Sequence, residues 1–169
     1  MKKISNERKN LSRLAGEFLV ASRLTQRGYM VSLQWGATIG YDLLVFDKNG
    51  NNAFIEVKST ASYPRRWALQ KKYANPQYDV ISLERRWVCC VDLTAKPHPD
   101  VYVFPAGIVA DALKYFYRKK GFSKSDSYKF ALNAKPANEK MSDAKSVGEY
   151  ISAQKYLENY SILGLSPLH

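Results

Sequence analysis

Short apolar runs separated by polar turns set the pattern of this chain, and they predict a helix followed by a series of strands. Polar and apolar positions alternate with helical period from Ser5 or Asn6 to Arg27, where Gly28 provides a left-handed stop. Its main apolar stripe is Leu11, Leu14, Ala15, Phe18 and Ser22, expected to face the core. Gly28-Tyr29-Met30-Val31, Leu43-Leu44-Val45-Phe46 and Ala53-Phe54-Ile55-Glu56-Val57-Lys58 are short and rich in β-branched or aromatic residues, and read as strands. Arg66 to Gln70 reads as another strand or as the first turn of a helix. Trp87 to Leu93 and Val101 to Phe104 are apolar strands joined through Pro97-His98-Pro99-Asp100. Ile108, Val109, Ala112, Leu113 and Phe116 form a helical stripe ending near Gly121. Residues 121–145 are polar and read as a loop. Ser146-Val147-Gly148-Glu149 is a capping box that opens a last helix, with Val147, Tyr150, Ile151 and Leu157 packing back and an end near Gly164.

The turn between the second and third strands decides what lies opposite what. A three-residue loop, Lys48-Asn49-Gly50 with Gly50 left-handed, makes the hairpin symmetric about Asn49 and sets Asp42 opposite Glu56. A two-residue Asn49-Gly50 turn is also a strong hairpin signal. It would shift the register by one and send Asp42 to the other face. With the odd loop, Cβ atoms of Asp42 and Glu56 stand roughly 4.5–5.5 Å apart, and Lys58 shares the face of Glu56.

Two carboxylates and an amine at one point suit a hard divalent cation, Mg²⁺ or Mn²⁺, beside a positive charge that orients water or neutralises a phosphoryl oxygen. The same spacing serves an edge-of-sheet salt bridge of Lys58 with Asp42 or Glu56. Glu17 lies off the main stripe of the first helix, yet Val20, Ala21 and Leu24 around it are apolar. A partly buried acid needs a partner. Metal or Lys58 is one choice, and Arg13, a helical turn earlier, is the other.

Taken together, Glu17 on the helix, Asp42, and Glu56-Val57-Lys58 resemble the PD-(D/E)XK nuclease superfamily, over about residues 8–105. In that family a helix precedes a three-stranded meander carrying the first acid and then the (D/E)-x-K motif. Tyr41 stands where the family name has proline. The resemblance implies an α/β restriction-endonuclease-like core, a mixed β-sheet flanked by helices. It also implies Asp42 and Glu56 as metal ligands with the Val57 carbonyl completing the shell, Lys58 as the catalytic amine, and Glu17 as an accessory acid. Gln70 would reach the same site, as a glutamine or lysine after the motif does in some relatives.

Composition agrees with a nucleic-acid partner. Lys and Arg number 26 against 15 Asp and Glu, a formal charge of +11 that attracts phosphate polymers. Basic residues cluster at Lys2, Lys3, Arg8, Lys9 and Arg13, after Lys58, and at Arg118-Lys119-Lys120 with Lys124. In the cluster after Lys58, Arg65, Arg66, Lys71 and Lys72 are expected to contact phosphate, while Trp67 is expected in the core. Only His98 and His169 are available as histidines, and Cys89 and Cys90 are the only cysteines. Histidine-based nucleases, Cys/His zinc sites and Cys-His nucleophiles therefore lack their parts. No GxxxxGK[ST] loop is present. No apolar run is long enough to span a membrane, the amino terminus lacks an apolar signal core, and adjacent cysteines point to opposite faces of a strand, so a reduced, cytoplasmic setting is expected.

The expected protein is one domain over residues 1–169, a core near 8–105 and a helical extension beyond, cutting DNA with Mg²⁺ or Mn²⁺. A homodimer cutting both strands is left open. The rival readings are a module that binds nucleic acid without cutting, and an assembly subunit whose basic face meets an acidic protein.

Overall fold

The computed structural model describes residues 5–35, 40–62, 66–70, 83–120, 127–131 and 153–168. Helix α1 spans Asn6–Gln26, and the Ser5 hydroxyl accepts from the Arg8 amide at 3.2 Å. Gly28, at φ 82°, ends it as the sequence predicts. Strands β1 (Met30–Leu33), β2 (Leu43–Phe46) and β3 (Asn52–Thr60) form an antiparallel meander. Strand β4 (Arg66–Gln70) follows, then β5 (Arg86–Asp92) and β6 (Asp100–Pro105). Helix α2 spans Ala106–Lys120, and β7 spans Ser127–Ala131.

The main sheet has the order β1-β2-β3-β5-β6, with β3 and β5 parallel and the other neighbours antiparallel. All of β5 is buried, as a central strand covered on both faces should be. One face carries Leu43, Val45, Ile55, Val57, Cys89 and Val91 and packs on Val20, Ala21 and Leu24 of α1. The other carries Val88, Cys90, Tyr102 and Phe104 and packs on α2, with Trp67 and Leu69 of β4. Cys89 and Cys90 thus lie on opposite faces as free, buried thiols. The expected mixed α/β fold with helices against the sheet is what forms. Trp67 is in the core as expected, its indole N–H donating to the Val91 carbonyl at 2.9 Å.

Three expectations need correction. The buried face of α1 is Gly16, Glu17, Val20, Ala21 and Leu24, whereas Leu11 and Phe18 of the supposed core stripe are 62% and 49% exposed. Both stripes have helical spacing, and close approach to β3 selects the one with the small residue. A Cβ on Gly16 would fall on the Ser59 hydroxyl and stand 3.0 Å from the Ser59 Cβ. The polar stretch 121–145 contains a strand, β7, paired antiparallel with β4 from Arg66–Ala131 to Gln70–Ser127. Past residue 152 the chain forms two short 3-10 turns, Ala153–Tyr156 and Tyr160–Leu163, in place of a continuous last helix. The predicted stop holds, with Gly164 left-handed at φ 66°. The capping box at residues 146–149 lies outside the described residues.

The carboxy-terminal segment ties the ends of these elements together. The Leu168 amide donates to the Gly28 carbonyl (2.8 Å), and Glu158 accepts from Arg23 of α1 and from the Val101 amide (2.9 Å). Tyr156, Tyr160 and Leu163 are buried.

Gly16→Ala is expected to destabilise the fold by about 1–3 kcal/mol, the usual cost of overpacking. Ser59→Gly in the same chain should recover most of it. Thermal melts of the single and double variants check this, and an unchanged melt for Gly16→Ala would remove the close crossing from the account.

Candidate active site

The β2–β3 hairpin has the three-residue loop. Leu43 pairs with Ile55 and Phe46 with Asn52, the Asp47 amide donates to the Asn51 carbonyl (3.0 Å), and Gly50 is left-handed at φ 82°. The Asp47 carboxylate fixes this turn by accepting from the Asn49 and Asn51 amides, each at 2.8 Å, and from the Ser166 amide at 3.2 Å. Burial alone would raise the Asp47 pKa, but these hydrogen bonds outweigh it and hold the carboxyl below its ordinary value. The register extended from this turn sets Asp42 against Glu56.

Asp42 does not simply continue the ladder. Its amide donates to the Ile55 carbonyl (2.8 Å), and its carboxylate accepts from the Val57 amide at 2.7 Å. The backbone thus leaves the pleat at Asp42, and the side chain takes over the bond a further strand residue would make. Strand β3 runs on to Thr60 with β5 on one side, while β2 stops pairing at Ile55. A notch opens beside the second half of β3. In a strand the N–H and C=O of one residue point to the same side, so the Val57 carbonyl faces this notch with its amide.

The remaining groups approach the notch from both faces. Glu17, 4% exposed, comes from α1 and accepts a hydrogen bond from Arg13 at 2.6 Å. Glu56 and Lys58 project from β3 and form an ion pair. Of the partners that sequence offered for Glu17, Arg13 makes the direct ion pair, while Asp42 and Lys58 act on its charge through space. Glu56 is held on its other side by the charge of Arg86, which is 1% exposed on the adjacent β5. The structure therefore groups Glu17, Asp42, Val57 and Lys58 at the notch, and Lys58 links them to the buried Glu56–Arg86 pair.

Arg86 was not singled out from sequence. Reading it required the parallel register, in which Arg86 pairs with Phe54 and Val88 with Glu56, placing Arg86 diagonally beside Glu56. Burial pulls its pKa down and the Glu56 carboxylate opposes that. Of the expected phosphate contacts, Arg66 opens β4, whereas Arg65, Lys71 and Lys72 lie outside the described residues. Gln70 closes β4, paired with Ser127.

Burial first, and the Asp42 carboxylate second, push the Glu17 carboxyl above the ordinary glutamate value, against the pull of Arg13 and Lys58. The folded state then binds this proton more tightly than the unfolded one. Stability at this group falls as pH rises from the unfolded value through the raised folded one. Glu17→Gln carries no charge to bury, so in EDTA at pH 8 it is expected to melt above wild type. The gap should close as pH falls to about 4, where the unfolded glutamate is itself protonated. Coincident melting curves at pH 8 would contradict this cost.

Among the described residues, no three His, Cys, Asp or Glu side chains gather as a metal cage. The donors at hand are the Asp42 and Glu56 carboxylates and the Val57 carbonyl. This all-oxygen set, few in number, suits Mg²⁺ or Mn²⁺, which keep several waters. No described helix is long and apolar enough to cross a membrane.

Comparison with known proteins agrees with this architecture. The family model "Protein NO VEIN, C-terminal" matches residues 19–74, a span that holds Asp42, Glu56, Val57 and Lys58. The solved structure of the bacterial homing endonuclease I-Ssp6803I is similar in fold, with a TM-score of 0.51 at 15% identity. That match covers 92% of this chain and 91% of the endonuclease chain. The chain thus has a nuclease-like fold. No curated protein matches it.

Proposed function

We propose that this chain is a DNA endonuclease of the PD-(D/E)XK kind, hydrolysing phosphodiester bonds with Mg²⁺ or Mn²⁺ at the β2–β3 notch. The observation that carries the reading is the meeting of Asp42 with β3. Its carboxylate is clamped to the Val57 amide beside the Glu56-Val57-Lys58 motif, with Glu17 close by. A notch inside a sheet that collects acids, a backbone carbonyl and an amine is a poor structural device but a serviceable phosphodiester site.

Asp42, Glu56 and the Val57 carbonyl supply the oxygen ligands. When bound there, the cation supplies Lewis acidity and a water of lowered pKa. Lys58 leaves Glu56 for the phosphate, orients the attacking water and offsets charge on the phosphoryl oxygens. The water oxygen forms the new bond to phosphorus as the bond from phosphorus to the leaving sugar oxygen breaks. The proton the water loses passes to solvent, and the leaving oxygen, which keeps the electron pair, takes one from solvent. Glu17 adds negative charge that favours the cation and helps hold Lys58 in place. The formal charge of +11 draws DNA to the surface, with Arg65, Arg66, Lys71 and Lys72 proposed as phosphate contacts.

One observation favours the non-cutting binding module instead. Each of the two buried acids already has a basic partner, Glu17 with Arg13 and Glu56 with Lys58. The test is incubation with supercoiled, linear, single-stranded and branched DNA in Mg²⁺, Mn²⁺ or EDTA. Cutting of at least one substrate with metal and of none in EDTA is expected. Silence on all of them, with binding that falls as salt rises, would give the binding module the better claim.

A further inference from the structure

Two aromatic rings that stand open to solvent neighbour the site along the chain. Trp35 is 68% exposed and Phe18 49%, and their rings lie 6.2 Å apart at an interplanar angle of 58°. Both are tied to the site through the chain. Phe18 follows Glu17 on α1. Trp35 follows Gln34, whose amide donates to the Asp42 carbonyl at 2.9 Å. The two exposed rings touch each other, whereas the other two tryptophans, Trp67 and Trp87, are buried.

We propose that Trp35, backed by Phe18, is a stacking platform for an unpaired nucleobase adjoining the phosphate at the notch, which makes the substrate DNA with unstacked bases beside the cleavage point. The inference rests on the nuclease reading and extends it to substrate class. In intact duplex the base faces are covered by their neighbours, whereas a single-stranded or branch-point base has a free face for an aromatic ring. The surroundings suit a polyanion, with the half-exposed Arg13 side chain one turn before Glu17 and an overall charge of +11. The position suits a base, because the rings adjoin the two residues that bring Glu17 and Asp42 to the phosphate site.

The test measures binding in EDTA, where metal-dependent cutting does not interfere, using labelled oligothymidylate, blunt duplex and a forked duplex. Stacking of one base predicts that Trp35→Ala weakens oligothymidylate and fork binding by roughly 5- to 150-fold. Trp35→Phe should remain near wild type, and blunt-duplex binding should change less than about twofold. Emission from the exposed Trp35 should be quenched by oligothymidylate in the wild type. Equal affinities for wild type and Trp35→Ala on every probe would overturn the platform, as would a wild-type dimer that Trp35→Ala dissociates in sedimentation. The nuclease reading fails separately: a protein that stacks bases as predicted but never cuts keeps the platform and loses the activity.

Discussion

Lys58→Ala is expected to lower the single-turnover cleavage rate at saturating Mn²⁺ by about 10²–10³-fold or more, the scale of removing one charge-stabilising donor from a reacting centre. DNA affinity should change little, because one of 26 basic residues is lost. The fold should also persist, since Lys58 is partly exposed and Glu56 retains the charge of Arg86. The prediction separates a catalytic amine from an ornamental salt bridge. If Lys58 only pairs with Glu56, the variant loses a little stability and keeps its rate. Rates within a few-fold of wild type would therefore return Lys58 to a structural role.

The second large effect concerns stability. Arg86→Ala leaves the Glu56 carboxylate buried with one cation fewer, and breaking a buried pair from one side typically costs about 3–5 kcal/mol. Chemical denaturation should show a loss of this order. Glu56→Gln in the same chain should recover much of it, because the uncompensated charge is then gone. A double-mutant cycle measures the coupling. Additive losses would show that Arg86 and Glu56 do not act as a pair.

That a hairpin forms here was legible from sequence because its signals are local, but the register stayed open between a two-residue and a three-residue turn. Gly50 tolerates the left-handed backbone that closes a three-residue loop, and that choice fixes every pairing back to Asp42. The α1 stop at Gly28 was readable for the same reason. The face of α1 was not. Leu11–Phe18 and Gly16–Leu24 both satisfy a 3.6-residue period, and the decision is made by a crossing at Gly16 and Ser59, far apart in sequence. The mistake matters for function: the stripe assigned to the core carries Phe18, whose exposed ring lies beside that of Trp35. The β4–β7 pairing was hidden similarly, since Arg66 and Ala131 meet across a long separation. Arg86 was not singled out because only the parallel register of β3 and β5 places it beside Glu56.

In the candidate site, the motif named residues but not the contacts they make. Asp42 clamps the Val57 amide with its own carboxylate, which leaves the Val57 carbonyl facing the same notch. Glu56 is more deeply engaged than its position opposite Asp42 suggested, because Lys58 and Arg86 both attract it.

The central claim is that this notch holds the catalytic cation, and anomalous diffraction from crystals soaked in Mn²⁺ tests it most directly. The account predicts a peak beside the Asp42 carboxylate and the Val57 carbonyl, lost in Asp42→Asn. A protein that cuts DNA with Mn²⁺ while its only bound manganese lies away from the notch would contradict it.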